Sequence, residues 1–541
     1  MIITSKIPSL VGLLALAASL GLSYPVAAQT TPPVETQASS AKYGDYRAKK
    51  RKIEIESRVF SNEKGESVEG EMGFIYVPEV RSDPNSRLIK VAFIRIKTES
   101  SDPAPPVVLL HGGPKESAIL QSRMERIQVL TEMQSFADFI LLDARGMGLS
   151  EPLLGCDIDT IAFVVDADTM RELYTREGEA CNAYWTSQGT DLRGYNPIAL
   201  ADDVADLMVS LGYDAFSVTG NSYGAFWSIA LARRHPELLH RMAISGVFGL
   251  DGALNLPSDA QAAFEDLLDH LDADEQVQDM FGERGASGVF NDLAMRLERE
   301  PVEVVVQFNG QPLSVRLDSM MLARILYMSQ MTHHREGASI LPSVLYALDK
   351  EAYRGVMQVV ATQILERANA RFNIAAVATI CNEVYTNAFR EQFDRELLEP
   401  PESAWMGQMM KTRNASYACE ALDYPLIDSA WAEPFNSNIP VLAILGSFDG
   451  NTPPARALRS LDNFSDVTLI TANGGGHRHR EIEALAPDIY DMRLRFLAGE
   501  DIDDAPAEVD LPPLDITPLP AFARFLISIG LGNIILEQLG S

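Results

Sequence analysis

Positive charge is scarce in this 541-residue chain. It has 45 Lys and Arg against 75 Asp and Glu, which gives a formal net charge of −30. So acidic a chain repels phosphate backbones and anionic lipid, and a nucleic-acid partner is therefore not expected. The chain has only four cysteines, none in a CxxC pair, and so gives no support for a zinc site or redox motif. We expect no metal and no cofactor.

Long apolar runs are also missing. The longest near the N-terminus covers residues 10–22, which is shorter than the roughly 20 residues that a membrane span needs. This run follows Lys6 and precedes small residues ending at Ala28. That pattern predicts a signal peptide over residues 1–28 and export to the periplasm or the extracellular space, with no membrane span. An uncleaved anchor helix is the alternative.

Export changes the interpretation of the four cysteines, because an even number in an oxidising compartment indicates disulfides. Three pairings are conceivable. We favour the sequence neighbours, Cys156 with Cys181 and Cys381 with Cys419, since each pair closes a local loop. Each bond should then contribute about 3–4 kcal/mol. Free buried thiols are the alternative.

The order of apolar segments predicts the domain organisation. After a polar linker (residues 29–50), short apolar strands alternate with helical stretches over residues 51–249, as in a mostly parallel sheet with helices on both faces. Helical periodicity dominates residues 250–431, and the strand pattern resumes over residues 432–500. We therefore predict an α/β fold with a large helical cap inserted over the carboxyl edge of the sheet.

Residues 220–224 read Gly-Asn-Ser-Tyr-Gly, between a predicted strand and a predicted helix. In this context G-x-S-x-G is typical of a nucleophile elbow. The glycines allow a sharp turn that projects the Ser222 hydroxyl above the sheet, where the helix N-terminus favours developing negative charge. The sequence thus predicts Ser222 as a nucleophile, although the pentapeptide alone also occurs by chance.

A serine nucleophile needs a base, and the base needs an orienting acid, in the chain order Ser, Asp or Glu, His. Of the eight histidines, only His477 and His479 follow the second sheet segment. His477 comes after three glycines just beyond a strand and is the predicted base, with His479 as a solvated loop residue. Asp449, just past the preceding strand, is the predicted acid.

An oxyanion hole needs two backbone N–H groups. The first is predicted to be that of Tyr223, directly after the nucleophile. The second should come from residues 111–114 (His-Gly-Gly-Pro), with Gly113 favoured over Gly112.

Other polar residues receive structural interpretations. Asp143 follows a strand but precedes Ser222, so we expect it to anchor its loop through Arg145 rather than to act as the acid. His333 and His334 lie side by side without acidic or cysteine ligands nearby, which is more typical of a surface than of a metal site.

Several motifs occur together and in order. They are His-Gly-Gly-Pro at 111–114, Asp-Ala-Arg-Gly-Met-Gly-Leu-Ser at 143–150, the elbow at 220–224, the segment with Asp449, Thr452 and Pro453, and Gly476 before His477. In these the chain resembles the prolyl aminopeptidase and tripeptidyl aminopeptidase group of α/β-hydrolase serine peptidases, over roughly residues 90–250 and 435–495. Lys115 departs from the group, which usually has glycine there.

This resemblance implies an α/β-hydrolase fold and the release of residues from free peptide N-termini. It also implies cap carboxylates that hold the substrate ammonium group, and Glu383, two residues after Cys381, is the candidate. An exposed helix glutamate is the alternative. For the whole protein, a carboxylester or lactone hydrolase with the same triad is the alternative, because fold and triad do not fix the leaving group. A catalytically silent binding module would leave the Ser-Asp-His set unexplained.

The C-terminus divides into an acidic, proline-rich stretch (residues 501–520) and an apolar tail (residues 521–541). The first part predicts an extended strap. The tail is too short to span a bilayer, and Arg524 is its only basic residue, which is unlike a membrane-surface helix. We expect the tail to dock on the protein body or on a second copy, so that its deletion lowers stability or shifts the oligomeric state.

Overall fold

A computed structural model describes most of the chain. The described residues are 46–61, 65–113, 117–119, 127–156, 167–252, 255–308, 310–328, 335–368, 372–383, 385–398, 419, 422 and 426–516. The expected signal peptide, Lys115, His333, His334 and the apolar tail lie outside them.

The strands come in two series separated by a long helical block. In chain order they are β1 (Ile53–Ser61), β2 (Ser67–Pro78), β3 (Leu88–Ile96), β4 (Val107–Leu110), β5 (Phe139–Leu142), β6 (Gly155–Cys156), β7 (Phe216–Asn221), β8 (Leu239–Ser245), β9 (Val302–Phe308), β10 (Gln311–Leu317), β11 (Phe372–Asn373), β12 (Val441–Gly446), β13 (Val467–Asn473) and β14 (Glu508–Asp510).

The helices flank the sheet and build the inserted block. They are α1 (Ile127–Gln134), α2 (Ala167–Ser187), α3 (Pro197–Leu211), α4 (Tyr223–Arg234), α5 (Pro257–Asp272), α6 (Glu275–Phe281), α7 (Gly285–Arg299), α8 (Ser319–Met328), α9 (Arg335–Asp349), α10 (Tyr353–Ala368), α11 (Ile374–Cys381), α12 (Asn387–Leu398), α13 (Pro454–Leu461), α14 (His479–Leu485) and α15 (Pro487–Ala498).

Ten of the strands form one sheet in the order β1-β2-β3-β5-β4-β7-β8-β12-β13-β14. In this order, neighbouring strands pair antiparallel from β1 to β5. From β5 to β14 they pair parallel. The parallel strands β5, β7 and β12 are buried along almost their whole length, as expected for strands covered on both faces. Buried side chains of α3 and α4 pack on one face, and those of α15 pack on the other.

Helix α3 begins where the sequence predicts. The Asn196 side chain accepts a hydrogen bond from the N–H of Ala199, and Pro197 occupies the first turn. Gly212 ends the helix in the left-handed conformation at φ 93°, which glycine adopts without a Cβ clash. These caps fix the direction of the helix across the sheet.

The inserted block is mainly helical, as predicted, but it also contains strands that were not predicted from the sequence. β9 and β10 form an antiparallel hairpin within it. In β9, whose sequence is Val-Glu-Val-Val-Val-Gln-Phe, Val304 and Val306 are buried, whereas Glu303, Val305 and Gln307 are exposed. This period of two is the signature of a half-buried strand. Helices α5 to α10 and the hairpin share a hydrophobic core separate from those of the sheet.

Two disulfides tie down the loops around the sheet. The structure joins Cys156 to Cys181 and Cys381 to Cys419, the pairing that the sequence predicted. The first links β6 to α2, and the second holds the end of α11. Each disulfide therefore joins cysteines that are neighbours in the sequence and closes a local loop, as their spacing suggested.

The expected contact between Asp143 and Arg145 is wrong. The Asp143 carboxylate instead accepts hydrogen bonds from Ser117 Oγ (2.7 Å), Ile119 N (3.1 Å) and Leu149 N (2.8 Å). Arg145 turns away and forms a bidentate ion pair with Asp203 of α3, at 2.7 and 2.6 Å. Asp143 thus holds its own loop through neutral donors, while Arg145 fastens the loop to the helix layer.

The strap runs along the sheet edge up to residue 516, the last residue that the structure describes. β14 adds a parallel strand beside β13. Arg335, at the start of α9, donates to the carbonyl oxygens of Pro512, Pro513 and Gly474. Among the described residues, no helix is both long and apolar enough to cross a membrane.

Candidate active site

Ser222 lies in the sharp turn between β7 and α4. Its backbone has φ 58° and ψ −119°, a combination that non-glycine residues rarely adopt. A Cβ at Gly224 would come within 1.9 Å of the Leu110 carbonyl oxygen, and one at Gly220 within 2.4 Å of the Gly224 carbonyl oxygen. Both glycines of the motif are therefore required for the turn to pack, as the elbow predicts.

The His-Gly-Gly loop after β4 approaches the elbow closely. A Cβ added at Gly112 would lie 2.9 Å from the Asn221 carbonyl oxygen and 3.3 Å from Ser222 Cβ. Gly113 has φ 75°, in the left-handed region that favours glycine. The loop is thus beside the nucleophile, and the oxyanion role of Gly113 and Tyr223 stays a prediction.

Asp449 and His477 meet at the same edge of the sheet. Asp449 follows β12 and His477 follows β13, and these strands pair in parallel, so their carboxyl ends lie side by side. His477 Nδ1 is 2.8 Å from Asp449 Oδ2. The Nδ2 atom of Asn221, the residue before the nucleophile, lies 3.4 Å from the His477 carbonyl oxygen. The structure therefore gathers Ser222, Asp449 and His477 in one region.

The Asp449 carboxylate is almost fully buried, at 2% exposure, and its other donors come from its own loop. Asn451 N and Thr452 N donate to Oδ1 at 2.8 and 2.9 Å, and Thr452 Oγ1 donates to Oδ2 at 2.6 Å. Burial alone would raise the pKa of Asp449. The contacts with His477 and Thr452 outweigh it and hold the pKa below its usual value. The carboxylate thus stays ionised and can orient the imidazole.

Asn451 is a site residue that sequence reasoning missed. Its Nδ2 lies 3.0 Å from His477 Nε2, and its carbonyl oxygen accepts a hydrogen bond from the buried Asn255 side chain (2.9 Å). The only sequence signal was its position two residues after the predicted acid. The contact itself depends on a loop 26 residues further along the chain.

Glu383 is buried rather than exposed, so the alternative of an exposed helix glutamate is wrong. Its Oε1 accepts a hydrogen bond from the Tyr223 hydroxyl at 2.5 Å, and both residues are less than 10% exposed. Burial and the adjacent Glu383 carboxylate raise the pKa of Tyr223 well above its usual value, so the hydroxyl stays protonated. A cap carboxylate is therefore joined to the residue that follows the nucleophile.

His479, which the sequence predicts as a solvated loop residue, has a different setting from His477. His479 begins α14, two residues after His477, and is half-buried. Within the described parts of the chain, no group of three or more His, Cys, Asp or Glu side chains is arranged to hold a metal ion.

Comparison with protein families gives one match. Residues 105–281, about a third of the chain, match the family described as the alpha/beta hydrolase fold. These residues include β4, the elbow and α4, but not Asp449 or His477. No curated protein matches the chain.

Three solved hydrolase structures show a distant likeness to the chain. A serine hydrolase from Cycloclasticus zankles is 14% identical, with 80% of this chain and all of that chain covered and a TM-score of 0.32. A thermophilic esterase from Thermogutta terrifontis is 15% identical, with 78% and 99% covered and a TM-score of 0.31. The 2-hydroxy-6-oxo-6-phenylhexa-2,4-dienoate hydrolase from Rhodococcus sp. strain RHA1 is 14% identical, with 81% and 100% covered and a TM-score of 0.32.

The assignment of the fold rests on the family match and on the chain's own architecture. The family match, the mostly parallel sheet and the elbow between β7 and α4 agree with one another. The chain therefore has the α/β-hydrolase fold.

Proposed function

We propose that the protein is an exported serine hydrolase in which Ser222 is the nucleophile, His477 the general base and Asp449 the orienting acid. The observation that carries this is the 2.8 Å contact of His477 Nδ1 with Asp449 Oδ2, beside a serine held at φ 58°. The two disulfides support export, because such bonds persist mainly in oxidising compartments.

In the proposed reaction, the Ser222 Oγ–H proton passes to His477 Nε2 while Oγ bonds to the substrate carbonyl carbon. The N–H groups of Gly113 and Tyr223 are proposed to stabilise the oxyanion. His477 then gives the proton to the leaving group as its bond to carbon breaks. Water, deprotonated by His477, hydrolyses the acyl-enzyme and restores Ser222.

We further propose that the substrate is a peptide with a free N-terminus, from which residues or short peptides are removed. Glu383 supports this role, because a buried carboxylate joined to Tyr223 lies close to the nucleophile and would attract an ammonium group. An aminopeptidase of the prolyl or tripeptidyl type is therefore the leading assignment.

A carboxylester or lactone hydrolase is the second candidate. One oxygen of Glu383 already accepts the Tyr223 hydroxyl, which favours a role in bracing the elbow over a role in binding an ammonium group. In that case the same three catalytic residues would act on a substrate without an N-terminus.

A substrate panel separates the two candidates. The mature protein is given a peptide amide with a free N-terminus, the same peptide N-acetylated, and p-nitrophenyl acetate. We expect about 10- to 100-fold faster cleavage of the free peptide, as a hydrogen-bonded ionic contact would provide. Glu383→Gln should reduce that preference and leave p-nitrophenyl acetate hydrolysis within about twofold. Equal rates on the free and acetylated peptides would contradict the aminopeptidase assignment and favour the second candidate.

A further inference from the structure

The Asn451 side chain contacts Nε2 of His477, the atom that must accept a proton in a serine hydrolase. Its Nδ2 is 3.0 Å from Nε2, on the opposite side of the ring from the carboxylate contact at Nδ1. In the proposed function Nε2 is the atom that takes the Ser222 proton. The contact therefore bears directly on when the base can act.

The partners fix which atom donates. Asp449 is ionised and accepts only, so Nδ1 carries the hydrogen of the neutral imidazole. Nε2 then holds the lone pair, and of the groups on the Asn451 side chain only the NH₂ can pair with it. The amide therefore donates into the lone pair that would accept the serine proton.

The backbone keeps Asn451 in this place. Its N–H donates to Asp449 Oδ1 at 2.8 Å, and its carbonyl oxygen accepts from Asn255 at 2.9 Å. Asn255 precedes the first cap helix and is fully buried. Because the backbone is held on both sides, rotation of the side chain alone can release Nε2.

From this geometry we infer that Asn451 caps the general base in the resting enzyme and gives up Nε2 to the Ser222 proton when substrate binds. The inference rests on the proposed function. The Asn451 donor can bond only the neutral ring, because a protonated Nε2 has no lone pair to accept it. Asn451 is thus a positioning residue that holds the neutral ring and competes with Ser222 for the Nε2 lone pair.

Other charged groups near the histidine loop stay constant in the test. Asp449 faces the ring from the β12 loop. Arg335 of α9 and His270 of α5 lie beside Gly474, at the start of the loop. Arg478 and His479 follow His477, and Glu481 accepts from the Arg335 backbone. Replacing a neutral amide changes none of these charges.

The experiment measures the rate of fluorophosphonate labelling between pH 5 and 9 for the wild-type protein, Asn451→Ala and Asn451→Asp. We expect Asn451→Ala to label about three- to tenfold faster at the high-pH plateau and to move the acid midpoint up by about 0.5–1 pH unit, as loss of one hydrogen bond to the neutral ring implies. Asn451→Asp should move the midpoint up further, because a carboxylate favours the imidazolium.

Asn473→Ala is the matched control. Asn473 ends β13 in the same histidine segment but bonds to Asp510 (2.8 Å), so its loss should leave the plateau and the midpoint unchanged. Thermal unfolding of each variant checks that the fold is retained. A slower plateau or an unmoved midpoint in folded Asn451→Ala would overturn the capping role. Labelling that persists in Ser222→Ala would instead overturn the proposed function.

Discussion

Two sets of buried carboxylate contacts in this molecule have different partners. At the sheet edge, Asp449 contacts the imidazole of His477 and the hydroxyl of Thr452. In the helix layer, three aspartates of α3 meet a set of arginines. These contacts are Asp202 with Arg234 and His235, Asp203 with Arg145 and Arg81, and Asp206 with Arg51 and the Tyr46 hydroxyl.

The two groups show that burial alone does not identify a functional acid. Burial would raise the pKa of both Asp449 and Asp202, yet their hydrogen-bond partners hold both values below the ordinary one. The partners differ in kind, because each aspartate of α3 contacts at least one guanidinium, although Asp202 also contacts the His235 imidazole, whereas Asp449 contacts the His477 imidazole. A guanidinium keeps its proton at every ordinary pH, whereas an imidazole can gain and lose one near neutrality. We therefore expect the first group to govern activity and the second to govern stability.

The largest expected effect separates the two groups by catalysis. Asp449→Asn keeps the size of the side chain but lets the amide favour the wrong imidazole tautomer, so we expect kcat to fall by about 10⁴-fold. Urea unfolding should show a folded protein. Asp203→Asn, measured beside it, should keep kcat within a few-fold while it is folded. Similar kcat losses in both variants would remove the distinction.

The second expected effect is on stability. Asp203→Ala leaves the buried Arg145 guanidinium without its bidentate carboxylate, and breaking a buried pair from one side costs about 3–5 kcal/mol. The free energy of unfolding in urea measures this loss. Arg145 also donates to the carbonyl oxygens of Glu79 and Gly194. A loss below about 1 kcal/mol would mean that these two carbonyl oxygens are enough to stabilise the buried guanidinium without Asp203.

A third, smaller effect should appear on acidification. Asp202 and Asp449 have lowered pKa values in the folded protein, so their stabilisation is complete above the ordinary value of 3.8. It is lost as pH falls through the folded values, below about pH 4. Asp143 and Glu483, whose pKa values burial raises, act in the opposite direction.

Comparison of the Asp202→Asn variant with the wild-type protein isolates the contribution of Asp202 to acid unfolding. The slope of unfolding free energy against pH, taken between pH 5 and 3, should be shallower in Asp202→Asn than in the wild-type protein. Identical slopes would show that Asp202 is not linked to acid unfolding.

The smallest effect concerns the second histidine near the site. His479→Ala should change kcat/KM by less than about twofold, because His479 opens a helix and the predicted acid contacts His477. His477→Ala, tested in parallel, should lose several orders of magnitude. Comparable losses at the two positions would mean that both imidazoles take part.

The features that could be predicted from the sequence depend on residues that are close together in the chain. The elbow, Asp449 and His477 each follow a short strand, and parallel strands place such residues at one edge of the sheet. The disulfides were foreseeable for a similar reason, because each closes a short loop. These inferences need only nearby residues and the strand pattern.

The missed features depend on long-range packing. Arg145 pairs with Asp203, 58 residues away, and nothing in the motif around Arg145 distinguishes that partner from the nearer Asp143. The contact of Asn451 with His477 depends on how two loops meet above the sheet. The hairpin β9–β10 was missed for another reason, since its period of two stood inside a block dominated by helices.

The central claim is that Ser222 is a nucleophile activated by His477. Intact-mass measurement after incubation with a fluorophosphonate tests it most directly. We predict one label per protein molecule, located on Ser222 by peptide mapping, and no label in a folded Ser222→Ala variant. Absence of labelling in the native protein, or an unchanged label in Ser222→Ala, would contradict the account.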